Sequence, residues 1–309
     1  MLAAAGIVST AVPDCAGAPS NSPPATVNVD VAGTKVAGPD GRQRTIVINA
    51  DDHRAFPDAP MGFDVPQGGE NTGHMEVVTY RSKTVGATRK VTVYTPPGYT
   101  RDKKYPVLYL LHGIGGDETE WPHFGVPNVI IDRLLSSEKA TPMIIVMPNG
   151  RALPDDRVPP NLFSPQNIAG FAAFEGDLFD DLIPFVESHY SVAAGRENRA
   201  LAGLSMGGGQ TLNFGLSHPG TFAWIGAFSP APNTKAPDQL LASVPDRGPT
   251  MKLIYLSCGS RDGLLGIAQG VHGYLLTQGI RHYWNVDDNA HDTPEWRNNF
   301  YHFAQLVFR

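Results

Sequence analysis

Gly203-Leu204-Ser205-Met206-Gly207 places one serine between two glycines at the end of an apolar run. That pattern suits a nucleophile held on a sharp strand-to-helix turn, where flanking residues must lack side chains for strand and helix to approach. Arg199 to Ala202 reads as the end of a buried strand, and Gly208 to Ser217 as the following helix, with Leu212 and Leu216 at i, i+4 spacing. The pentapeptide is short and glycine is abundant, 33 of 309 residues, so its meaning depends on what surrounds it.

A serine hydroxyl is a weak nucleophile without an adjacent base, and the base needs a third group to orient it. Parallel sheets present such groups at the carboxyl ends of their strands. The apolar run Tyr105 to Leu111 is followed by His112-Gly113-Ile114-Gly115-Gly116, and Met251 to Ser257 by Cys258-Gly259-Ser260-Arg261-Asp262. Arg281 to Val286 leads into Asp287-Asp288-Asn289-Ala290-His291. Ser205, Asp262 and His291 thus follow three strands in the order Ser, Asp, His, that of an α/β-hydrolase. His291 would act as general base and then general acid, and Asp262 would fix its tautomer. The N–H groups of Ile114 and Met206 would bind the oxyanion of an acyl-transfer intermediate.

Other roles are open at each position. Asp262 could be only a turn residue capping a helix from Leu264, and Asp287, Asp288 and His282 are rivals within the triad. His112 is expected to brace the glycine-rich loop, and Asp177, Asp180 and Asp181 to form a solvated helix face. Trp121, Phe124 and Trp296 are candidate substrate-binding aromatics, with Phe163 and Phe171 in a proline-rich insertion, although most aromatics are simply core.

The elements that must hold these groups are legible from Met75 onward. Glu76 to Arg81 and Arg89 to Thr95 alternate like antiparallel strands around Gly86. Tyr105 to Leu111, Met143 to Met147, Phe222 to Phe228 and Met251 to Ser257 are near-continuous apolar runs, as strands buried on both faces should be. Helical patterns over Val129 to Leu135, Phe174 to His189, Gly208 to Ser217, Leu264 to Gln278 and Trp296 to Phe308 separate them. The fold class is therefore α/β, a mostly parallel sheet with helices on both faces.

Three regions follow: 1–25, a leader-like segment and linker; 26–74, an extension without a complete fold pattern; and 75–309, the α/β domain. Leu2 to Val12 is apolar and Ala16-Gly17-Ala18 resembles a cleavage site, but the first basic residue is Lys35, so export is an expectation on an incomplete signal. A net charge of −6 without a basic run gives no reason to expect nucleic acid or an anionic membrane as partner. No apolar stretch reaches the roughly 18 residues of a membrane span. Two cysteines, Cys15 and Cys258, and ten scattered histidines imply no disulfide framework, metal or cofactor. Oligomeric state is not legible.

The chain resembles the feruloyl and acetylxylan esterases of the esterase D type, carbohydrate esterase family 1. The resemblance is carried by Val91 to Tyr99, Tyr105 to Gly116, Ala202 to Gly208, Leu256 to Asp262, and His291-Asp292 followed by Trp296. It spans about Met75 to Arg309 and implies Ser205, Asp262 and His291 as the triad, with an oxyanion donor at or next to Ile114. Relatives usually carry Gly-Gly where this chain has Asn289-Ala290, and only Val29 to Asp40 faintly echoes the module preceding some of them. The implied activity is hydrolysis of feruloyl esters on arabinoxylan, with feruloylated or acetylated xylan and small aryl esters as substrates. Acetylxylan esterase, general carboxylesterase, S-formylglutathione hydrolase and a silent carbohydrate-binding relative are the alternatives.

Overall fold

The computed structural model describes residues 33–37, 41–66, 68, 71–241 and 250–309. The leader-like segment, Cys15, the linker and the faint module echo up to residue 32 lie outside them. Residues 33–309 form one compact unit.

A small antiparallel hairpin comes first, β1 (Thr34–Ala37) and β2 (Gln43–Ile46). Eight strands then build the main sheet: β3 (His74–Arg81), β4 (Thr88–Thr95), β5 (Val107–Leu111), β6 (Ile144–Pro148), β7 (Arg199–Leu204), β8 (Trp224–Phe228), β9 (Leu253–Gly259) and β10 (Tyr283–Asp287). Their order is β10-β9-β8-β7-β5-β6-β4-β3. The β3–β4 and β4–β6 pairs are antiparallel, and every other pair is parallel. Among the described residues six α-helices flank the sheet: α1 (Pro127–Ser136), α2 (Pro165–Gly176), α3 (Ile183–His189), α4 (Met206–Ser217), α5 (Leu265–Thr277) and α6 (Thr293–Leu306).

The apolar runs are continuous because each strand serves two cores. In β5, Val107, Tyr109 and Leu111 pack into one cluster with Phe174, Val186, Leu212 and Val271 from α2 to α5. Leu108 and Leu110 point the other way, to Ile130 and Leu134 of α1 and Phe300 and Phe303 of α6. This two-residue alternation between covered faces is what a parallel sheet requires. The run from Tyr105 yields a strand only from Val107, because Pro106 has no N–H to give a neighbour. The helix expected from Phe174 instead begins at Pro165 and reaches His189 through a π-type wide turn at Asp177–Leu182.

That wide turn overturns the reading of Asp177 and Asp181 as solvated. Both are buried, because the β3–β4 hairpin covers this side of the helix. Asp177 ion-pairs with the buried Arg89 and accepts from the Tyr80 hydroxyl at 2.5 Å. Asp181 accepts from the Thr84 N–H at 2.9 Å.

Residues 47–66 hold no helix or strand and run as a strap along β10, α6 and α1. Val286 of β10 donates its N–H to His53 O (3.1 Å), and the Ala55 and Ala59 N–H groups donate to Asn285 Oδ1 and Asn298 Oδ1. Phe56 stacks on His302 of α6, with ring centroids 4.9 Å apart. Arg133 of α1 donates to Val65 O (2.8 Å).

Candidate active site

β7 delivers Ser205 to the tip of the sheet. Its backbone sits at φ 52, ψ −116, a conformation that side-chain-bearing residues rarely adopt and that is held here by context. The Ser205 N–H donates to Phe228 O (2.9 Å), and its carbonyl accepts from Ala231 N–H (3.0 Å). The flanking glycines are required by backbone contact. A Cβ on Gly203 would lie 2.6 Å from the Gly207 carbonyl, and one on Gly207 2.5 Å from Leu111 O.

The other two strand ends reach the same point. Ser205 Oγ–H donates to His291 Nε2 at 3.0 Å, and His291 Nδ1–H donates to Asp262 Oδ2 at 2.8 Å. Asp262 is fully buried, and its Oδ1 takes the Leu264 N–H at 2.8 Å. It therefore both caps the turn into α5 and faces the imidazole. Burial alone would raise its carboxyl, but the hydrogen bond and charge of His291, with the Leu264 N–H, outweigh this and hold it below the ordinary aspartate range. Trp296, at the start of α6, lies edge-on to His291 with centroids 5.6 Å apart.

The rivals are engaged elsewhere. Asp287 accepts from Asn289 N–H, Asn298 and Asn299; Asp288 pairs with Arg54; His282 meets His272 at 2.7 Å.

The glycine-rich loop after β5 abuts Ser205, since a Cβ on Gly113 would lie 3.4 Å from the Ser205 Cβ. His112 is buried, and burial lowers its pKa, so the ring is neutral. Its Nε2 accepts from Gly150 N–H (2.7 Å), leaving Nδ1–H to donate to Gly113 O (2.6 Å), so the residue braces the loop. Gly113 N–H is taken by Glu120 Oε2 at 2.6 Å. Among the described residues the Ile114 N–H has no backbone acceptor, and Met206 opens α4, where its N–H has no carbonyl of its own helix to meet. These are the two donors named from the sequence. Beside them lies a separate apolar cluster of Phe171, Met206, Ala231 and Leu264, flanked by Ile114, Ile168 and Ile267.

The aromatic candidates divide. Trp121 is not at the cleft: it is 1% exposed, donates to Leu111 O (2.9 Å), and packs on Phe228 and Phe300. The turn that carries it folds back under the sheet, where a large ring fills core volume. Phe124 is 58% exposed, and its carbonyl accepts from Arg297 Nε. Phe163 is also exposed, whereas Phe171 is buried on α2 with its edge toward His112. Cys258 is buried in β9, and burial pushes its thiol pKa well up.

Arg151 and Glu120 were missed from sequence, as were Ile168 and Ile267. Arg151, Ile168 and Ile267 reach the site through contacts distant along the chain, and Glu120 folds back onto Gly113 from seven residues on; no local motif marks them.

A doubly covered, mostly parallel sheet presenting a serine on a strained elbow after β7, an aspartate after β9 and a histidine after β10 defines an α/β-hydrolase fold. The family model described as putative esterase matches residues 82–301, and the chain belongs to that family. It is 34% identical over 248 residues to an endo-1,4-beta-xylanase/feruloyl esterase of Xylanibacter ruminicola, an alignment covering 77% of this chain and 32% of that relative. The chain thus spans about a third of the length of this curated relative. Among solved structures, the carbohydrate esterase family 1 ferulic acid esterase of the anaerobic fungus Anaeromyces mucronatus superposes with a TM-score of 0.74 at 30% identity, covering 81% of this chain and 96% of that one. The feruloyl esterase module of Clostridium thermocellum, crystallised as a serine-to-alanine mutant with sinapinate, has the same fold (TM-score 0.69, 21% identity, coverage 85% and 97%).

Proposed function

We propose that this chain is a serine carboxylic ester hydrolase that removes feruloyl and related hydroxycinnamoyl groups from plant cell-wall arabinoxylan. The observation that carries the reading is the unbroken hydrogen-bonded line Ser205–His291–Asp262 beside an apolar cluster. The names of the similar proteins supply the acyl group, and the apolar residues beside Ser205 suit a flat aromatic ring.

In the proposed reaction Ser205 Oγ attacks the ester carbonyl while His291 Nε2 takes its proton. The oxyanion is met by the Ile114 and Met206 N–H groups. Nε2–H then protonates the departing sugar oxygen, leaving an acyl-enzyme. Water, deprotonated by the same nitrogen, attacks the acyl carbon; Ser205 recovers the proton and the carboxylic acid leaves. Asp262 stabilises the imidazolium in both halves without itself taking the proton. Trp296, beside His291, is proposed to face the leaving sugar. A polymeric wall substrate would place the enzyme outside the cell.

The test is a side-by-side assay of methyl hydroxycinnamates, feruloylated arabinoxylan and acetylated xylan. Ferulate release is expected, with Ser205→Ala abolishing turnover and leaving the melting temperature unchanged. Undiminished activity of Ser205→Ala would refute the mechanism. Acetate release alone would indicate an acetylxylan esterase, and xylan binding without turnover a silent binding protein.

A further inference from the structure

An oxyanion donor is useful only if it is fixed before the charge develops. The loop Gly113-Ile114-Gly115-Gly116 has one turn hydrogen bond of its own, Gly116 N–H to Gly113 O (3.2 Å), and little other intrinsic stiffness, so side chains from outside must supply the rest. A side chain that reaches into it from a distant segment is that of Arg151, after β6. Arg151 Nη2 donates to Ile114 O at 2.8 Å and to Gly116 O at 3.3 Å. Its Nε donates to Asn167 Oδ1 and its Nη1 to Asp156 O (3.0 Å), and the guanidinium lies over the Phe171 ring, 5.3 Å from the centroid.

Two features separate Arg151 from an ordinary structural arginine. It is fully buried, and every partner of its side chain is a carbonyl or amide oxygen rather than a carboxylate. The carboxylates of Asp156 and Asp117 act on it only at longer range. Among the described residues no carboxylate forms a contact ion pair with this charge, which stands behind the loop. Its base is fixed as well: Arg89 Nη2 donates to both Asn149 O and Arg151 O at 2.7 Å, and Arg89 is anchored by Asp177.

We infer that Arg151 is a positioning residue of the oxyanion hole, clamping the Ile114 and Gly116 carbonyls so that the Ile114 N–H keeps its aim and placing a full positive charge behind the developing oxyanion. The inference rests on the hydrolytic reading above and specifies which side chain preorganises that site. Glu120 takes Gly113 N–H, and Gly113 O accepts from His112 and from Gly116 N–H, so Arg151 supplies the outside hold on the Ile114 and Gly116 carbonyls.

The experiment compares Arg151→Met and Arg151→Lys in the full chain. Turnover is read with p-nitrophenyl acetate and with methyl ferulate, alongside the inhibition constant of an aryl boronic acid that forms a tetrahedral anion on Ser205. The dissociation constant of methyl ferulate is measured in a Ser205→Ala background. A displaced donor should lower kcat of Arg151→Met about 100-fold. Boronate affinity should fall by a comparable factor, methyl ferulate affinity should be unchanged, and Arg151→Lys should recover part of the loss. The inference is overturned if boronate and methyl ferulate weaken equally, which makes Arg151 a pocket wall, or if kcat falls without weaker boronate binding. If Arg151→Met does not fold, the same ratios for Arg151→Lys decide. Failure of the substrate reading is separable: the wild type would then cleave p-nitrophenyl acetate but no hydroxycinnamate, and the Arg151 comparison would stand on the acetate ester.

Discussion

Glu295 gives a test of the electrostatics beneath the site. It sits in the first turn of α6, fully buried, with Oε1 accepting from Ser257 Oγ (3.0 Å) and Asn299 Nδ2 (3.1 Å). The same Nδ2 donates to Asp287 Oδ2 at 3.0 Å, so two carboxyl groups share one amide, and Oε2 of Glu295 has no partner among the described residues. Burial, reinforced by the charges of Asp287 and Asp262, raises its pKa well above the glutamate range. The folded protein thus holds a proton that the unfolded chain gives up first. Its contribution to stability is fully present below the ordinary glutamate pKa and is lost as pH rises toward the folded value, at about 1.4 kcal/mol per pH unit. Glu295→Gln keeps the shape and the neutral state but removes the titration. Urea unfolding of both proteins at intervals from about pH 5 upward should show the variant gaining on the wild type by about 1.4 kcal/mol per unit until the folded-state pKa is passed. Asp287, also raised by burial, adds a slope of the same sign that is present in both proteins. Parallel stability profiles from about pH 5 to 8 would refute the protonated glutamate.

Two further expectations concern packing. Gly207→Ala forces a methyl group against Leu111 O, and should lower stability by roughly 1–3 kcal/mol, read by thermal melting, together with turnover, because the elbow must shift. Trp121→Phe removes the bond to Leu111 O from the core and should cost about 1–3 kcal/mol while leaving KM for methyl hydroxycinnamates unchanged; a higher KM at unchanged melting temperature would return Trp121 to the cleft.

The sheet and the three strand-end residues were legible because burial on both faces leaves an apolar run, and the residue after such a run has one place to be. That rule brought Ser205, Asp262 and His291 to strand ends, but setting aside Asp287, Asp288 and His282 needed the contacts those residues make elsewhere. Trp121 misled because an aromatic close in sequence to the glycine-rich loop has the same composition whether it turns outward or under the sheet. Asp177 and Asp181 misled because a helical pattern does not disclose which elements cover each face; here the β3–β4 hairpin brings Tyr80, Ser82 and Arg89 over the wide turn. Arg151 carried no signal, since its role lies in carbonyls 35 and 37 residues away. The strap was opaque because side-chain-to-backbone bonds such as Ala55 to Asn285 impose no periodicity.

The strap also bears on where this protein can be cut. β10 is the last strand of the sheet, and such an outer strand offers unpaired backbone groups to any passing chain. His53 O occupies one of them and Phe56 lies over the neighbouring α6, so the segment acts as a guard against edge-to-edge aggregation. A fragment trimmed to the family match, residues 82–301, would discard the strap and β3 and stop inside α6. Such a fragment would keep Ser205, Asp262 and His291 but leave the β10 edge unguarded and make β4 the opposite edge strand in place of β3.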